Sequence, residues 1–257
     1  MLDIKGMSIL ITGGGSGLGE AMARHFVKRG AKVTITGRRA DKIAAVANEL
    51  GCAGVAGDVA NPEDRQAMIA AALAQGGGRL DALLNNAGNM YRGKVTELEE
   101  ARLLELFHTN VVGAMLLSGL AVPHLAARNG ASTGGAILFF GSGHTRRAFP
   151  GASPYAATKA AVQTLTQVLG AELGEQGIRV NCIIPGGILT ELNVRAGFLS
   201  AQEAAERQHY MLPMQALDQV GTGEDIAEAA EYLIRAEWVT GAILDVDGGL
   251  GLGVTKA

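Results

Sequence analysis

The sequence predicts a doubly wound α/β fold, in which helices cover both faces of a parallel sheet. Short runs rich in Val, Ile, Leu and Thr alternate with longer amphipathic stretches along the chain. Alternation of this kind implies right-handed crossovers, so the strands run parallel and the helices lie on both faces. The 257 residues, 48% of them hydrophobic, can bury one substantial core, and no linker or repeat divides them. We therefore expect a single domain over residues 1–257.

The predicted elements follow one another with short connections. Six apolar runs are predicted strands: residues 8–12, 32–36, 82–85, 136–140, 179–184 and 243–246. The predicted helices are residues 17–29, 41–50, 62–75, 97–127, 154–176 and 223–233. Residues 189–221 break this rhythm, because the segment is too long for an ordinary connection and mixes apolar with polar residues. We expect a substrate lid there; the alternative is a surface excursion with two short packed helices.

Composition and charge exclude several classes of function. The net charge of −3 and the absence of long charge runs argue against nucleic-acid binding. No secretion signal precedes the first strand, so a cytoplasmic location is expected. The apolar residues 111–125 are fewer than a membrane span needs and contain Pro123, which favours a buried helix. Cys52 and Cys182 lack metal-site spacing and are predicted to be reduced and buried.

A glycine-rich turn joins the first predicted strand to the first predicted helix. An open parallel sheet holds pyrophosphate at this place, on the N-terminal amides of the helix, and glycines let phosphates approach the backbone. An ordinary glycine-rich turn is the alternative, since the spacing alone is a weak signal in a chain with 37 glycines. The turn supplies six candidate cofactor-binding residues: Gly13, Gly15, Ser16, Gly17, Leu18 and Gly19.

Two arginines follow the second predicted strand, where a dinucleotide site recognises the adenosine ribose. An acidic residue there would bond the ribose 2′-hydroxyl, whereas arginine accommodates a 2′-phosphate. Arg38 and Arg39 stand at this edge without a carboxylate beside them. Guanidinium groups match a phosphate in charge and in bidentate geometry. The sequence therefore favours NADP(H), although two solvated arginines are also compatible with NAD(H).

Small and polar residues follow the third and fourth strands, at the carboxyl edge where ligands collect. Asp58 and Val59 follow a third strand that precedes the run of residues 82–85, and Asp58 could accept a hydrogen bond from an adenine amino group. Asn86, Ala87 and Gly88 follow the fourth strand and offer backbone that a cofactor can approach closely. Turn formation by their side chains is the alternative for each motif.

A tyrosine and a lysine four residues apart are the most informative chemical signal in the chain. Tyr155 and Lys159 share one face of a predicted helix. The pKa of a free tyrosine is about 10, so an acid or base that works near neutrality needs a shift of roughly 3 units. A fixed ammonium group supplies part of that shift. The alternative is a surface helix whose lysine stem covers the tyrosine ring.

Together these motifs resemble the short-chain dehydrogenase/reductase family, in its single-domain branch with a Rossmann-type sheet, and the resemblance spans nearly the whole chain. It implies that Tyr155 exchanges the proton with the substrate oxygen and that Ser142 polarises the carbonyl. It further implies that Lys159 lowers the pKa of Tyr155 and holds the nicotinamide ribose. Asn110 would kink its helix and hold a water that links Lys159 to solvent. The residues implied on the nicotinamide side are Pro185, Gly186, Ile188 and Thr190.

Substrate-binding residues are the least determined part of the prediction. His144, Phe149, Gly187 and Leu192 are candidates, and their mixed polarity suits an aliphatic ketone, an acyl thioester or a sugar. Met90 and Tyr91 are further candidates to line the same site. Either Arg146 or Arg147 could bind a carboxylate or phosphate, with solvated loop charge as the alternative.

Two further expectations concern metals and subunits. None of the histidines has metal-ligand companions in the sequence, so no metal is expected, and His108 is expected to pack within its helix. The resemblance implies a homo-oligomer, either a dimer or a tetramer. Apolar residues at helical spacing in residues 101–125 would then serve the core or the subunit interface.

These residues predict an NADP-dependent oxidoreductase that interconverts a ketone and a secondary alcohol in a small molecule. Negative charge grows on the substrate oxygen as hydride arrives, so two hydroxyl donors aimed at that oxygen stabilise the transition state. The alternative is an NAD-dependent sugar or polyol dehydrogenase of the same family. A more distant alternative is a non-catalytic nucleotide-binding scaffold or sensor, since a fold does not determine a function.

Overall fold

Seven strands form one parallel sheet in the computed structural model, which describes residues 1–127, 133–188, 200, 202–203, 206 and 211–254. In chain order the strands are β1 (Ser8–Thr12), β2 (Lys32–Gly37), β3 (Ala53–Ala56), β4 (Ala82–Asn85), β5 (Ala136–Phe140), β6 (Arg179–Pro185) and β7 (Ile243–Val246). Their spatial order is β3-β2-β1-β4-β5-β6-β7, and every neighbouring pair is parallel. The predicted doubly wound fold is confirmed.

The described helices connect these strands as crossovers. They are α1 (Gly17–Lys28), α2 (Ala40–Leu50), α3 (Pro62–Gly76), α4 (Glu100–Phe107), α5 (Ala114–Leu125), α6 (Ser153–Glu172) and α7 (Gly223–Arg235). A π-helical turn over His108–Gly113 joins α4 to α5, so these two helices form one continuous rod.

Local sequence signals begin and end these helices. Asn61 caps α3 by accepting a hydrogen bond from the Asp64 amide at 3.1 Å, and Pro62 occupies the first turn. Gly77 ends α3 in the left-handed region with φ 68°. Thr222 and Asp225 form a reciprocal capping box at the start of α7.

Each face of the sheet carries its own apolar core. On one face α1, α2 and α7 contribute Phe26, Ile43 and Leu233 to a cluster that covers the odd-numbered positions of β1. On the other face, Met68 of α3 and Leu117 of α5 pack into a second cluster with part of α6. Because helices bury both faces, the central strands β1, β4 and β5 are apolar and buried throughout, apart from a few polar side chains.

The strand order places the ligand edge of the sheet. β1 pairs with β2 on one side and with β4 on the other, so the chain reverses its winding direction between β1 and β4. In a doubly wound sheet, the carboxyl ends of the strands leave a crevice at this switch point. The register pairs Thr12 with Thr36 and Asn85 with Phe139, which brings the loops after β1, β2, β4 and β5 to the same edge.

Most predicted boundaries agree with the structure within two residues. The structure adds β3, a four-residue edge strand, to the six predicted ranges, and it confirms the bounds of β1, β4, β5 and β7. The rod formed by α4 and α5 is shorter than the predicted helix over residues 97–127. Cys182 is buried as expected, whereas Cys52 is half-buried. The predicted lid over residues 189–221 lies largely outside the described residues.

The continuous rod Glu100–Leu125 has 26 residues and a mean hydropathy that would allow it to cross a membrane. Its apolar stretch is therefore not too short for a span, contrary to the sequence-based expectation. Leu117, Ala121 and Leu125 nevertheless pack into the core beneath the sheet. Length and composition alone are weak signals, because the core helix of a globular protein meets the same criteria.

Candidate active site

A cleft of about 290 Å³ opens at the carboxyl edge of the sheet. The loops that follow β1 to β6 all reach it, as the switch point requires. It brings together most of the residues predicted to bind cofactor or substrate: Gly13, Gly15, Ser16, Gly17, Leu18, Arg38, Arg39, Asp58, Val59, Asn86, Ala87, Gly88, Ser142, His144, Phe149, Tyr155, Lys159, Pro185, Gly186, Gly187 and Ile188.

The glycine-rich turn between β1 and α1 forms one end of this cleft. Gly13 has φ 69°, and a Cβ atom there would lie 2.9 Å from Asn86 Nδ2, so a side chain would be strained and crowded. Ser16 precedes α1 without capping it through its side chain, which leaves the first amides of α1 suited to an anion. Gly19 does not line the cleft; a Cβ there would collide with the Gly13 carbonyl, so this glycine serves the packing of α1.

Cationic side chains gather where β2 ends. Arg39 Nη2 donates a hydrogen bond to Ser16 Oγ at 2.8 Å, which joins the ends of β1 and β2. Arg38 Nη1 lies 3.8 Å from Asp58 Oδ2, and Lys42 from the first turn of α2 lines the same end of the cleft. Arg38 Nη1 also lies 4.0 Å from Glu105 Oε1. Among the described residues, three cations thus lie near two carboxylates, a balance that favours an anionic group of the ligand.

The segment after β4 is held against the glycine-rich turn by hydrogen bonds. Thr12 Oγ1 accepts from the Ala87 amide at 2.9 Å, and Asn86 Nδ2 donates to the carbonyls of Thr12 and Gly13 at 2.9 and 3.3 Å. Backbone rather than side chain therefore faces the cleft at Ala87 and Gly88. Together with the uncapped α1 amides, this surface fits a dinucleotide lying along the edge of the sheet.

Ser142, Tyr155 and Lys159 lie together at the centre of the cleft. Ser142 follows β5, while Tyr155 and Lys159 lie one turn apart near the start of α6 and are both buried. Lys159 Nζ donates to the Phe140 carbonyl at 2.9 Å and lies 5.6 Å from the centroid of the Tyr155 ring. Two hydroxyl groups and one ammonium group thus converge on a space that a small molecule can enter.

Burial governs the protonation of this group. Desolvation raises the pKa of Tyr155 to about 12, although a hydrogen bond with Ser142 acts in the opposite direction. Desolvation also lowers the pKa of Lys159 to about 8, against a smaller opposing effect of the Cys182 thiol. The pKa of Tyr155 is thus raised, because loss of hydration outweighs the hydrogen bond with Ser142. The lowering of this pKa by Lys159 stays a prediction.

Asn110 lies inside the π-turn and contacts the cleft residues from behind. Its Oδ1 accepts from the Asn89 amide at 2.8 Å, and its Nδ2 donates to the Asn89 carbonyl and to Thr158 Oγ1, both at 3.0 Å. The side chain of Asn89 in turn accepts from Arg38 Nη2 at 2.9 Å. The local widening of the helix at Asn110 agrees with the expected distortion, and its amide fastens the segment after β4 to α6. The water role implied for Asn110 stays a prediction.

Apolar groups and one imidazole line the substrate end of the cleft in the described part of the chain. The His144 ring stands edge-on to Tyr155, with 5.4 Å between centroids, and lies 4.8 Å from the Phe149 ring. Met211 lies close to Gly187, where a Cβ would come within 3.0 Å of the methionine methyl carbon. Leu250 closes this end from the C-terminal segment.

The two arginines of the loop after β5 have structural partners. Arg146 Nε donates to Asp245 Oδ1 at 2.8 Å, and Arg147 Nη1 donates to the carbonyl of Val254 at 3.1 Å. Arg147 also donates to the Met214 carbonyl at 3.4 Å. These contacts fasten the loop to β7 and to the C-terminal segment, so neither arginine extends into the cleft.

Several predicted positions differ from expectation or lie outside the described residues. Tyr91 faces away from the cleft, because its hydroxyl accepts a hydrogen bond from the Glu99 amide at 2.9 Å. His108 is exposed, so the expectation that it packs within its helix is wrong. Thr190 and Leu192 fall outside the described part of the chain, and their roles stay predictions.

Some lining residues carry no sequence motif, among them Lys42, Asn89, Thr109 and Leu250. Lys42 stands three residues after Arg39, in the first turn of the predicted helix over residues 41–50, and this closeness in sequence is a signal that could have found it. Leu250 reaches the cleft from the far end of the chain, and tertiary folding alone brings it there. Asn89 and Thr109 meet across the cleft wall, where Asn89 Nδ2 lies 3.4 Å from Thr109 Oγ1.

Known proteins resemble this chain in both sequence and fold. The family model described as enoyl-(acyl carrier protein) reductase matches residues 13–251. A galactitol 2-dehydrogenase (L-tagatose-forming) of Cereibacter sphaeroides is 36% identical over 251 residues, covering 96% of this chain and 95% of the relative. A solved structure of a short chain dehydrogenase/reductase family protein superposes with a TM-score of 0.82 at 32% identity, covering 98% of this chain and 100% of the other.

A second solved structure is similar to this chain over nearly its whole length. It is a 3-ketoacyl-(acyl-carrier-protein) reductase from Brucella melitensis complexed with NADH, with a TM-score of 0.84 at 32% identity over 96% of this chain and 99% of the other. The family model, the relative and both structures span nearly the whole chain. The chain therefore belongs to the short-chain dehydrogenase/reductase family.

Proposed function

We propose that the protein is an NADP-dependent oxidoreductase that interconverts a ketone and a secondary alcohol, with Tyr155 as the acid and base. As a member of its family the chain is an oxidoreductase that uses a nicotinamide cofactor. One observation carries the finer proposal: the hydroxyl groups of Ser142 and Tyr155 meet beside Lys159 in the same cleft into which the glycine-rich turn opens. We propose that residues 1–257 act as one catalytic domain.

The cleft residues divide into a cofactor part and a substrate part. The first amides of α1, together with Gly13 and Gly15, would hold the pyrophosphate of the dinucleotide. Asp58 and Val59 would hold the adenine end. The nicotinamide end would lie against Pro185, Gly186 and Ile188, with Lys159 at its ribose. When bound, the cofactor supplies or accepts the hydride.

The proton chemistry belongs to three side chains. During reduction, negative charge grows on the substrate oxygen, so Tyr155 gives its proton to that oxygen while Ser142 donates a hydrogen bond to it. The raised pKa of Tyr155 keeps the phenol protonated and available as an acid. The Lys159 ammonium then stabilises the resulting tyrosinate by its charge. Oxidation of the alcohol follows the same path in reverse.

The preference for NADP rests on the cations at the end of β2. Arg39 lies against Ser16, and Lys42 lines the same wall, so a 2′-phosphate there would meet a hydroxyl and at least two cations. We expect Arg39→Ala to raise the dissociation constant of NADPH about tenfold and that of NADH less than about twofold. Lys32→Ala is the matched control, because Lys32 is exposed at the opposite end of β2.

The activity is tested by initial rates of NADPH and NADH oxidation with a panel of carbonyl substrates. The panel contains aliphatic and cyclic ketones, 3-oxoacyl thioesters and keto sugars, with the apolar ketones first because Phe149, Met211 and Leu250 line the substrate end. Turnover by the wild type that Tyr155→Phe abolishes would support the proposal. Full turnover by Tyr155→Phe on the same substrate would refute it.

An NAD-dependent sugar or polyol dehydrogenase is the second candidate. It is favoured by the Arg38 guanidinium, which already donates to Asn89 and lies near Asp58, so that it is engaged away from a 2′-phosphate. The similarity to a galactitol 2-dehydrogenase points the same way. An NADH preference that neither Arg38→Ala nor Arg39→Ala changes, combined with turnover of polyols, would establish this candidate. Tight cofactor binding without turnover of any substrate would instead indicate a binding protein.

The proposal includes assembly of the protein with a second copy of itself. The outer face of the rod formed by α4 and α5 exposes five apolar side chains: Leu104, Val112, Met115, Leu116 and Leu120. The neighbouring helix α6 adds Val168, which is 47% exposed. A continuous apolar face of this kind is typical of an interface between subunits. Light scattering of the wild type against Met115→Glu tests this assembly, and a monomeric wild type would refute it.

A further inference from the structure

The hydroxyl group of Ser142 has three polar neighbours. His144 Nδ1 lies 3.0 Å from Ser142 Oγ, and the backbone amide of His144 donates to the same oxygen at 3.3 Å. The third neighbour is the Tyr155 hydroxyl, which shares a hydrogen bond with Ser142. Two of the three contacts therefore come from one residue that no catalytic motif includes.

A serine hydroxyl can donate one hydrogen bond and accept two. The His144 amide takes one of the two acceptor positions, so one donor and one acceptor position remain for Tyr155 and the imidazole. If Nδ1 is unprotonated, the hydroxyl hydrogen of Ser142 points to His144, away from the substrate. If Nδ1 carries a proton, Ser142 accepts from the imidazole, and its hydrogen points to the Tyr155 oxygen or, when substrate is bound, to the substrate oxygen beside it.

The His144 imidazole is held next to Ser142, where its protonation determines the direction of the Ser142 hydroxyl hydrogen. His144 lies in the short helical turn Gly143–Thr145, which Ser142 caps, and Thr145 Oγ1 donates back to the Ser142 carbonyl at 2.8 Å. Gln163 of α6 donates to Thr145 Oγ1 at 2.7 Å and so fixes the turn to the helix that carries Tyr155. Ring contacts with Tyr155 and Phe149 hold the plane of the imidazole.

We propose that His144 is a positioning residue that keeps a proton on Nδ1 and thereby directs the hydroxyl hydrogen of Ser142 to the substrate oxygen. This inference rests on the proposed function, because it assigns the direction of a hydrogen bond within that reaction. His144 acts through Ser142, and its contribution is made when negative charge grows on the substrate oxygen. A bare Nδ1 would compete with the substrate for the same hydrogen.

Nitrogen NMR of the full chain, labelled at its histidine rings, tests the protonation directly and needs no substrate. The chain has five histidines, and the signals lost in His144→Asn assign the ring of interest. The shifts of a protonated and a bare ring nitrogen are well separated. We expect Nδ1 of His144 to be protonated at neutral pH in the presence of NADPH. A neutral ring with its proton on Nε2 alone would overturn the proposal.

A matched pair of variants tests the consequence for catalysis. The amide of asparagine can donate to Ser142 Oγ, whereas the carboxylate of aspartate, which has nearly the same size and shape, can only accept. We expect His144→Asn to lower kcat about threefold and His144→Asp to lower it at least about thirtyfold, with the NADPH dissociation constant unchanged in both. Equal losses in the two variants would overturn the proposal, because they would indicate packing alone.

A double-mutant cycle with Ser142→Ala separates the hydrogen bond from a direct effect of the aspartate charge. If His144 acts through Ser142, the kcat values of the Asn and Asp variants differ less than about threefold in the Ser142→Ala background. A difference that persists undiminished would overturn the proposal. If the wild type reduces no substrate at all, the proposed reductase activity fails, and the nitrogen shifts still decide the state of His144.

Discussion

Two buried charged sites of this protein respond to burial in opposite ways. In the cleft, desolvation lowers the pKa of Lys159 to about 8, and the described hydrogen-bond acceptor of its ammonium group is the neutral carbonyl of Phe140. Between α1 and α7, desolvation would raise the pKa of Glu231, yet hydrogen bonds from Arg29, His25 and Arg235 hold it at about 2. One site is close to losing its charge, and the other keeps it.

The second site is an ion cluster of His25, Arg29, Glu224, Glu231 and Arg235. Glu231 accepts from Arg29 at 2.9 Å and from His25 Nε2 at 2.8 Å, and it lies 2.6 Å from Arg235 Nη1. His25 also contacts Glu224 at 2.7 Å. The cluster therefore joins α1 to α7 across one face of the sheet.

The difference between the two sites is the number of charged partners. Burial penalises a charge in either place, and ionic hydrogen bonds offset the penalty only where they are present. Two arginines and the imidazole of His25 hydrogen-bond to Glu231 and make its charge part of the folded state. A carbonyl partner leaves the proton of Lys159 weakly held, which suits a residue whose charge must act on a reaction. The number of charged partners thus distinguishes the stabilising site at Glu231 from the proposed catalytic site at Lys159.

The largest expected effect is on catalysis and comes from Tyr155→Phe. The variant keeps the ring and its packing but removes the hydroxyl group that is proposed to transfer the proton, so kcat should fall about a thousandfold. Steady-state rates on a substrate found in the panel measure the loss. Because the phenol adds no charged partner to the fold, the melting temperature should stay within about two degrees of the wild type. A large drop in melting temperature would mean that the hydroxyl has a structural role as well.

The next effect is on stability and comes from Glu231→Gln. Removal of the charge leaves Arg29 and Arg235 without a buried counter-charge, so the free energy of unfolding should fall by about 3 kcal/mol. The pKa of Glu231 in the folded protein, about 2, lies below its ordinary value of 4.5. Its stabilisation is therefore complete above pH 4.5 and is lost as the pH falls toward 2. Urea unfolding at several pH values measures both the loss in the free energy of unfolding and its dependence on pH.

Glu224→Gln is the matched control for this prediction. Glu224 contacts the same histidine, but its side chain is 56% exposed, so its loss should cost less than about 1 kcal/mol. Turnover should be unchanged in both variants at a temperature where they are folded. Equal destabilisation by the two substitutions would contradict the distinction between buried and exposed partners.

A smaller effect is a change in the pH dependence of reduction. As the pH rises through about 8, Lys159 loses its proton and can no longer stabilise the tyrosinate, so kcat/KM for reduction should fall. In Lys159→Arg the guanidinium stays charged, so this break should disappear below about pH 10, although the rate should be about tenfold lower. A break that remains near pH 8 in the arginine variant would assign it to another group.

The smallest expected effect is a gain in stability from Lys159→Met. The variant removes a desolvated ammonium group but leaves the Phe140 carbonyl without its donor, so the net gain at pH 7 should be about 1 kcal/mol. In the wild type the folded pKa of about 8 lies below the ordinary value of 10.5, so stability should rise between these pH values. The methionine variant should lack this rise in urea unfolding. A loss of stability at pH 7 would mean that the donor matters more than the charge.

The fold could be predicted from the sequence because its signals are local. Apolar runs bounded by glycine or polar residues gave the bounds of β1, β4, β5 and β7, and the glycine-rich turn placed the cofactor end of the cleft. The residues brought together around Tyr155 belong to motifs of fixed spacing. Their presence in one cleft required only the regular alternation of strands and helices.

The features of the site that the sequence did not predict depend on tertiary contacts, which no local sequence pattern indicates. Leu250 enters the cleft only because the C-terminal segment folds back over the loop after β5. The direction of the Tyr155 pKa depended on how completely α6 is buried, whereas spacing to Lys159 suggested the opposite. Arg146 could equally have faced a substrate, and its partner Asp245 lies 99 residues away in sequence.

The π-turn at Asn110 makes the length of its helix a constraint as strict as its composition. A π-turn holds one more residue than an α-turn, so residues before and after it keep the relative rotation that this extra residue sets. Deletion of one residue within His108–Gly113 would convert the π-turn to an α-turn and leave the rotation of α5 unchanged. Deletion of one residue between Gly113 and Leu117 would instead rotate the rest of α5 by about 100° relative to α4. The first deletion would cost Asn110 its contacts with Asn89 and Thr158, and the second would take Leu117 out of the core. Along this helix, insertions and deletions are therefore far more damaging than most substitutions.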